Sequence, residues 1–325
     1  MTNLAMRPYR SEDDYWRIRA FLRQVMLLNG LRERSWHVAR LDYWRWHVAA
    51  NCLDQDSIAG LVFLWETPEG QMAAVLNPEG NGEAHFQVHP GLRTPALEEE
   101  VLAVAEERLS VERDGQRLLT VWTDDGDEAR LALLERHGYS PGKWVEHQWR
   151  RDLEAPIPEA PIPPGYTVRA LGDAGELPAR SWASWRGFHP DEPDEDYQGW
   201  EWYLNIQRCP LYRRDLDIVA VAPAIAPSVA PSVAPGEAAG GEIASFCTLW
   251  YDDVTRSAYV EPVATVPEHQ RRGLARAVIA EGLRRVRRLG ATRAFVGGYE
   301  PGPNALYSSV LSPEHDRSQQ WIRKW

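Results

Sequence analysis

Between Glu268 and Arg293 the chain places eight arginines against two acids, Glu268 and Glu281, although its formal net charge is -11. The run contains Gln270-Arg271-Arg272-Gly273-Leu274-Ala275, preceded by the strand-like Ala258–Val266 and Pro267. Downstream, apolar residues at Leu274, Ala277, Val278, Leu283 and Val286 keep helical spacing over Arg272–Leu289. The hexapeptide is therefore a loop leading from a strand into a helix. Free N–H groups in a helix's first turn, together with the helix dipole, favour an anion. Gly273 permits a positive φ and close approach of a ligand. Arg271, Arg272 and Arg276 add charge-assisted donors. Together these features suit a polyphosphate; without the loop, a solvated basic helix face would explain the arginines equally well.

The segment from Val263 to Ala275, with Asn304-Ala-Leu-Tyr307 downstream, resembles the acyl-CoA signature and late motif of the GNAT family of N-acetyltransferases. The resemblance runs from about Gly165 to Trp325 and implies acetyl-CoA as acyl donor, with no metal. Backbone groups of Val263, Ala264 and Thr265 would hold the pantetheine amides, and Gln270, Arg271, Arg272, Gly273, Leu274 and Ala275 would cradle the pyrophosphate. Asn304 would steady the cofactor arm, and Tyr307 would protonate the departing thiolate. Ordinary phenol and thiol pKa values of about 10 and 8.5 are close enough for that transfer. A strand N–H near Thr265 would polarise the thioester carbonyl.

An attacking amine must also lose a proton. Glu261 is the candidate base, since strict alternation puts it on one face with Tyr259, Val263 and Thr265. A buried carboxyl there would have a raised pKa. The bland reading is an edge carboxylate paired with an arginine; Glu300 is a second candidate.

The elements that must position these groups occur twice. Met6–Arg10 corresponds to Tyr166–Ala170, and Trp44-Arg45-Trp46 to Trp200-Glu201-Trp202; Ile58–Trp65 corresponds to Asp217–Ala222. Later, Phe86–Pro90 corresponds to Val263–Pro267 at an offset of 177 (Pro90 to Pro267), and Leu118–Thr123 to Arg293–Gly298. The offset grows across a Pro/Ala-rich insertion at 223–241. The expected organisation is a degenerate N-terminal domain at 1–153, a Pro-rich linker at 154–164 and an acetyl-CoA-binding domain at 165–325. Mixed strands and helices in each copy indicate an α/β (α+β) chain. The resemblance implies two tandem GNAT-fold domains, each a mixed, largely antiparallel sheet flanked by helices, an arrangement similar to that of the mycothiol synthases. The uncharged run Ile218–Gly236 is no membrane span, because Pro223, Pro227, Pro231 and Pro235 interrupt any helix; it reads as an extended surface loop.

The first copy departs where chemistry would be needed. Arg93-Thr94-Pro95-Ala96-Leu97-Glu98 occupies the cradle positions, with a proline removing an N–H and Glu98, Glu99 and Glu100 repelling phosphate. In the second copy, Leu311–His315 replaces the expected Gly-Phe, which leaves the pairing of the last strand open.

Composition narrows the function classes. With 36 basic and 47 acidic residues the chain is no general nucleic-acid or membrane-surface binder. Cys52, Cys209 and Cys247 show no metal or disulfide spacing, nine histidines offer no metal set, and no secretory leader is visible, so a cytoplasmic setting is expected. Trp182, Trp185, Trp200 and Trp202 either wall an acceptor cleft or pack the core. The expected function is acetyl transfer from acetyl-CoA to a primary amine of a small molecule, by a monomer or homodimer. A non-catalytic CoA-binding module and a protein acceptor are the alternatives.

Overall fold

A computed structural model describes residues 4–53, 55, 57–223, 237–238 and 241–325. The repeat APSVAPSVAPG, expected as an extended loop, lies outside the described residues. No described helix is long and apolar enough to cross a membrane.

The chain divides into two units. The first comprises Met1–Gln148, Gly297–Asn304 and His315–Trp325; the second comprises Trp149–Val296 and Ala305–Glu314.

The first unit contains β1 (Ala5–Pro8), α1 (Glu12–Leu28), α2 (Val38–Tyr43) running into a π-helical stretch Trp44–Cys52, β2 (Phe63–Glu66), β3 (Met72–Asn77) and β4 (Glu83–Val88). There follow α3 (Pro95–Arg108), β5 (Val111–Arg113), β6 (Gln116–Asp124), α4 (Glu128–Arg136) and most of β7 (Ser140–Asp152). Strands β1 to β4 pair antiparallel in sequence order, and β4 then pairs β6 in parallel from Glu83↔Thr120 to His85↔Trp122. Apolar faces of α3, α4 and the sheet enclose a core containing Trp65, Phe86, Leu102 and Val121.

The second unit repeats this order. It contains β8 (Thr167–Ala170), α5 (Leu177–Phe188), α6 (Tyr203–Ile206), β9 (Asp217–Val221), β10 (Glu237–Ala238), β11 (Gly241–Asp252) and β12 (Ser257–Thr265). Then come α7 (Leu274–Arg288), β13 (Arg293–Gly298), α8 (Pro301–Val310) and β14 (His315–Lys324). β8, β9, β11 and β12 pair antiparallel, and β12 pairs β13 in parallel. Helix α7 buries Leu274, Val278, Ile279, Leu283 and Val286 against this sheet, as its spacing requires.

The end of the chain corrects the expected boundary. β14, expected to finish the second domain, pairs antiparallel with β6 of the first unit from Ser318↔Asp124 to Lys324↔Leu118. Trp321 is buried in the first unit's core. The physical reason is that β6 needs a partner on its second edge, and the C-terminal segment supplies both the hydrogen bonds and an indole.

Candidate active site

The second unit's site is built on the end of β12. Cys247 lies opposite Val263 and Leu249 opposite Val260, so Glu261 and Pro262 together face the single residue Thr248. This bulge overturns strict alternation. Tyr259 is opposite Trp250 while Val263 is opposite Cys247, and those β11 residues are three apart, hence on opposite faces. Glu261 therefore cannot share one face with Tyr259, Val263 and Thr265 as expected. Its side chain is half-buried, and its carbonyl accepts from Trp250 Nε1.

Parallel pairing of β12 with β13 runs from Ser257↔Arg293 to Tyr259↔Phe295, whereas β12 continues to Thr265. Val263, Ala264 and Thr265 thus lie beyond the paired stretch. Ser245 Oγ donates to Ala264 O at 2.8 Å and lies 2.8 Å from Thr265 Oγ1. Helix α5 comes so close that a Cβ on Gly187 would sit 2.7 Å from the Ala264 Cβ. Sequence reasoning missed both Ser245 and Gly187, because each acts across a non-local contact.

After β12 the chain makes a short helical turn, Pro267–His269, and then the loop Gln270–Gly273, whose residues are exposed. Gln270 Nε2 donates to Thr265 O at 3.2 Å, tying the loop to the strand end. His269 is held between Tyr166 Oη at 2.8 Å and Glu242 Oε2 at 3.3 Å, partners the sequence did not reveal. Arg271 and Gly273 are both left-handed, with φ of 62° and 81°. Gly273 caps α7 without any side-chain hydrogen bond, and nothing lies within 4 Å of where its Cβ would be. The first turn of α7 therefore offers uncapped amides beside Arg271 and Arg272, which fits an anionic diphosphate. Arg276 reaches Glu159 O and Ser309 Oγ, each at 3.3 Å.

Tyr307, on α8, is buried among the residues of the second unit's core, against which Val263 also packs. Burial pushes its phenol pKa up, and the neighbouring Cys247 and Glu261 push it further. The expected near match with a thiol pKa therefore fails: this phenol holds its proton tightly. Asn304 stands one turn earlier on α8 and donates its backbone N–H to Glu300 O at 3.0 Å. Asn304 and Glu300 fall in the stretch that clusters with the first unit, whereas Tyr307 and Glu261 belong to the second.

The equivalent place in the first unit is internally filled. Thr94 caps α3 by accepting from Leu97 N at 3.2 Å. Buried Arg130 donates to both oxygens of Glu98, at 2.8 and 2.9 Å, and to Phe86 O at 3.4 Å. Arg93 completes the network, 2.7 Å from Glu98 and 2.8 Å from Asp127.

Two of the four candidate acceptor tryptophans come together. Trp182 and Trp185 stack with ring centroids 5.4 Å apart, and both contact Tyr197. Trp202 instead packs on Tyr203. In the first unit, Glu79, Glu83 and His85 bring possible metal-ligand atoms within 4.8 Å of one another, a grouping the sequence did not show. Trp36 Nε1, which can only donate, donates to His85 Nδ1 at 3.2 Å. The neutral ring's proton is then on Nε2, on the side 3.6 Å from Glu79, where a metal would need a lone pair.

The profile of the acetyltransferase (GNAT) family matches residues 179–307. A mycothiol acetyltransferase from Pseudarthrobacter chlorophenolicus is 29% identical over 103 residues, 31% of this chain and 29% of that protein. The chain thus matches less than a third of that relative's length. Among solved structures, a GCN5-related N-acetyltransferase from Sphaerobacter thermophilus has a TM-score of 0.64 at 17% identity, covering 99% of this chain and 95% of that one. A tandem GNAT protein from the clavulanic acid biosynthesis pathway has a TM-score of 0.62 at 14% identity, covering 99% and 98%. These likenesses establish a tandem GNAT fold. Residues 179–307 are accordingly similar in sequence to the acetyltransferase (GNAT) family, within a chain that has the tandem GNAT fold.

Proposed function

We propose that the second unit transfers an acetyl group from acetyl-CoA to a primary amine of a small molecule. The observation that carries this reading is the uncapped first turn of α7, reached through left-handed Arg271 and Gly273, in the unit that also buries Tyr307 beside Glu261. Acetyl-CoA supplies an activated thioester. Residues 270–275 bind its diphosphate, the β12 backbone at Val263, Ala264 and Thr265 aligns its amide arm, and Asn304 steadies that arm. A β12 N–H near Thr265 polarises the carbonyl. Tyr307 donates a hydrogen bond to the departing sulfur; its raised pKa keeps the donor proton in place throughout the neutral range. Glu261 takes the amine's proton, directly or through water. The free cysteines, Cys209 and Cys247 buried and Cys52 exposed, suit a reducing cytoplasm.

Substituting Tyr307→Phe tests the assignment. Turnover should fall by about two orders of magnitude, with calorimetric affinity for acetyl-CoA retained. Undiminished acetylation would remove Tyr307 from the chemistry. Failure of the wild-type chain to bind acetyl-CoA would remove the enzyme reading itself.

A further inference from the structure

The first unit keeps an open cleft that the proposed transfer does not use. Strands β4 and β6 pair in parallel from Glu83↔Thr120 to His85↔Trp122, while β4 runs on to Val88 and β6 to Asp124. The strand ends thus lie beyond the paired stretch, and α4 begins shortly after them at Glu128. The cleft at this place encloses about 380 Å³, which suits a small metabolite. The adjoining pocket, where Arg40 meets Glu146 at 3.0 Å, Glu79 at 3.2 Å and Glu33 at 3.6 Å, encloses about 30 Å³ and has room for water alone.

Charge comes first. Six charged residues line the larger cleft, and three of them are spent on the protein itself. Arg93 and Arg130 share Glu98, and Arg93 also pairs with Asp127 at 2.8 Å. Arg34, Asp124 and Glu128 remain, and none of them forms an ion pair among the described residues. Glu128 is exposed on the first turn of α4, where the helix dipole favours it. Arg34, on the segment joining α1 to α2, and Asp124, at the end of β6, attract each other at a distance rather than in contact. Burial pushes the Asp124 carboxyl up and Asp316 adds to this, against the Gly126 N–H and the more distant Arg34 and Arg32. Arg32 is itself paired with Asp316, and Arg130 gives its hydrogen bonds to Glu98 and Phe86. Besides exposed Glu128, the cleft thus holds one unpaired cation and one unpaired, half-buried anion.

Hydrogen bonding points the same way. Asp124 Oδ1 accepts from Gly126 N at 2.7 Å, and its Oδ2 has no hydrogen bond among the described residues. Ser35 is buried, yet its hydroxyl makes none either, and neither does the Asn29 side-chain amide. Val88, Pro90 and Ala129 give the lining an apolar part.

We propose that this cleft binds an aliphatic α-amino acid, its carboxylate on Arg34 and Ser35, its ammonium on Asp124 and its side chain along Val88 and Pro90. A zwitterion answers both charges at once, whereas a simple anion meets Asp124, and a simple amine meets Arg34, with like charge. The cleft shares no residue with the acyl-transfer site, so neither reading stands or falls with the other.

The test is calorimetric titration of L-leucine and L-valine into the full chain at pH 7. N-acetyl-L-leucine and isopentylamine serve as comparators that lack the ammonium and the carboxylate. L-leucine or L-valine should bind one saturable site at least about tenfold more tightly than either comparator, since each comparator forfeits a charge-assisted hydrogen bond. Asp124→Asn and Arg34→Gln should each weaken it by about tenfold or more. Asparagine can still accept from Gly126 N, and Arg34 is exposed without an ion pair, so both variants keep the fold and the parent's affinity for acetyl-CoA. The proposal is overturned by no saturable heat from either amino acid, by unchanged affinity in either variant, or by a comparator binding the same variant-sensitive site as tightly. Acetyl-CoA occupying a second site that Arg34→Gln abolishes would likewise overturn it.

Discussion

Arg130 donates to the carbonyl of Phe86, and Phe86 is the first-unit counterpart of Val263 at the 177 offset. The backbone position that the GNAT resemblance gives to a pantetheine amide in one unit is therefore answered by the protein's own guanidinium in the other. Arg130 comes from α4, the counterpart of the helix carrying Asn304 and Tyr307, and Glu98 holds it with two hydrogen bonds. In the first copy a buried ion pair stands at this position.

That pair makes the first unit's stability pH-dependent. Burial would raise the Glu98 pKa, but Arg130 and Arg93 together hold it below the ordinary value. The folded value is depressed relative to the unfolded one, so its stabilisation is present above about pH 4.5 and lost as pH falls through the folded value. Arg130→Ala should cost about 3–5 kcal/mol by stranding Glu98. Urea melts at pH 7 and pH 4 should show the deficit shrinking at the lower pH.

At Gly273 the positive φ and the open space argue for different effects. Gly273→Ala meets no neighbour but must hold a left-handed backbone, at about 1–2 kcal/mol. We expect a several-fold higher KM for acetyl-CoA with kcat nearly unchanged. Gly273→Pro cannot reach φ of 81° at all, and calorimetry should then show no binding, against one site per chain in the parent.

The raised pKa of Tyr307 predicts the shape of the alkaline rate profile. A phenol that ionised near 10 would begin to lose activity above pH 9; one pushed higher should not. kcat measured to pH 10 should show no falling limb that Tyr307→Phe abolishes. A limb near pH 9 that disappears in the variant would refute the buried, protonated phenol.

Removing Trp321 examines the C-terminal strand. Its indole is buried in the first unit's core, so Trp321→Ala should destabilise that unit by about 3–5 kcal/mol. Deleting residues 315–325 should do more, because β6 then loses a complete ladder of backbone partners. Two-phase thermal unfolding, with the earlier phase moved, is the expected signature.

By itself, the sequence determined what depends on local order. Helical spacing from Leu274 to Val286, the Gln270–Gly273 loop and the recurrence of strand segments at a near-constant offset all survive in the structure, because each is set by neighbours along the chain. Also legible was that Thr94, Pro95 and Glu98 stand at the start of a helix, where Thr94 caps α3 and Glu98 meets Arg130. Tertiary structure decided what depends on pairing across the chain. The β12 bulge moved Glu261 off the predicted face because register belongs to two strands, not one. β14 joined β6 because an open strand edge is satisfied by whichever segment reaches it. Arg130 found Phe86, and Arg40 its three carboxylates, through contacts spanning tens of residues that no spacing rule encodes.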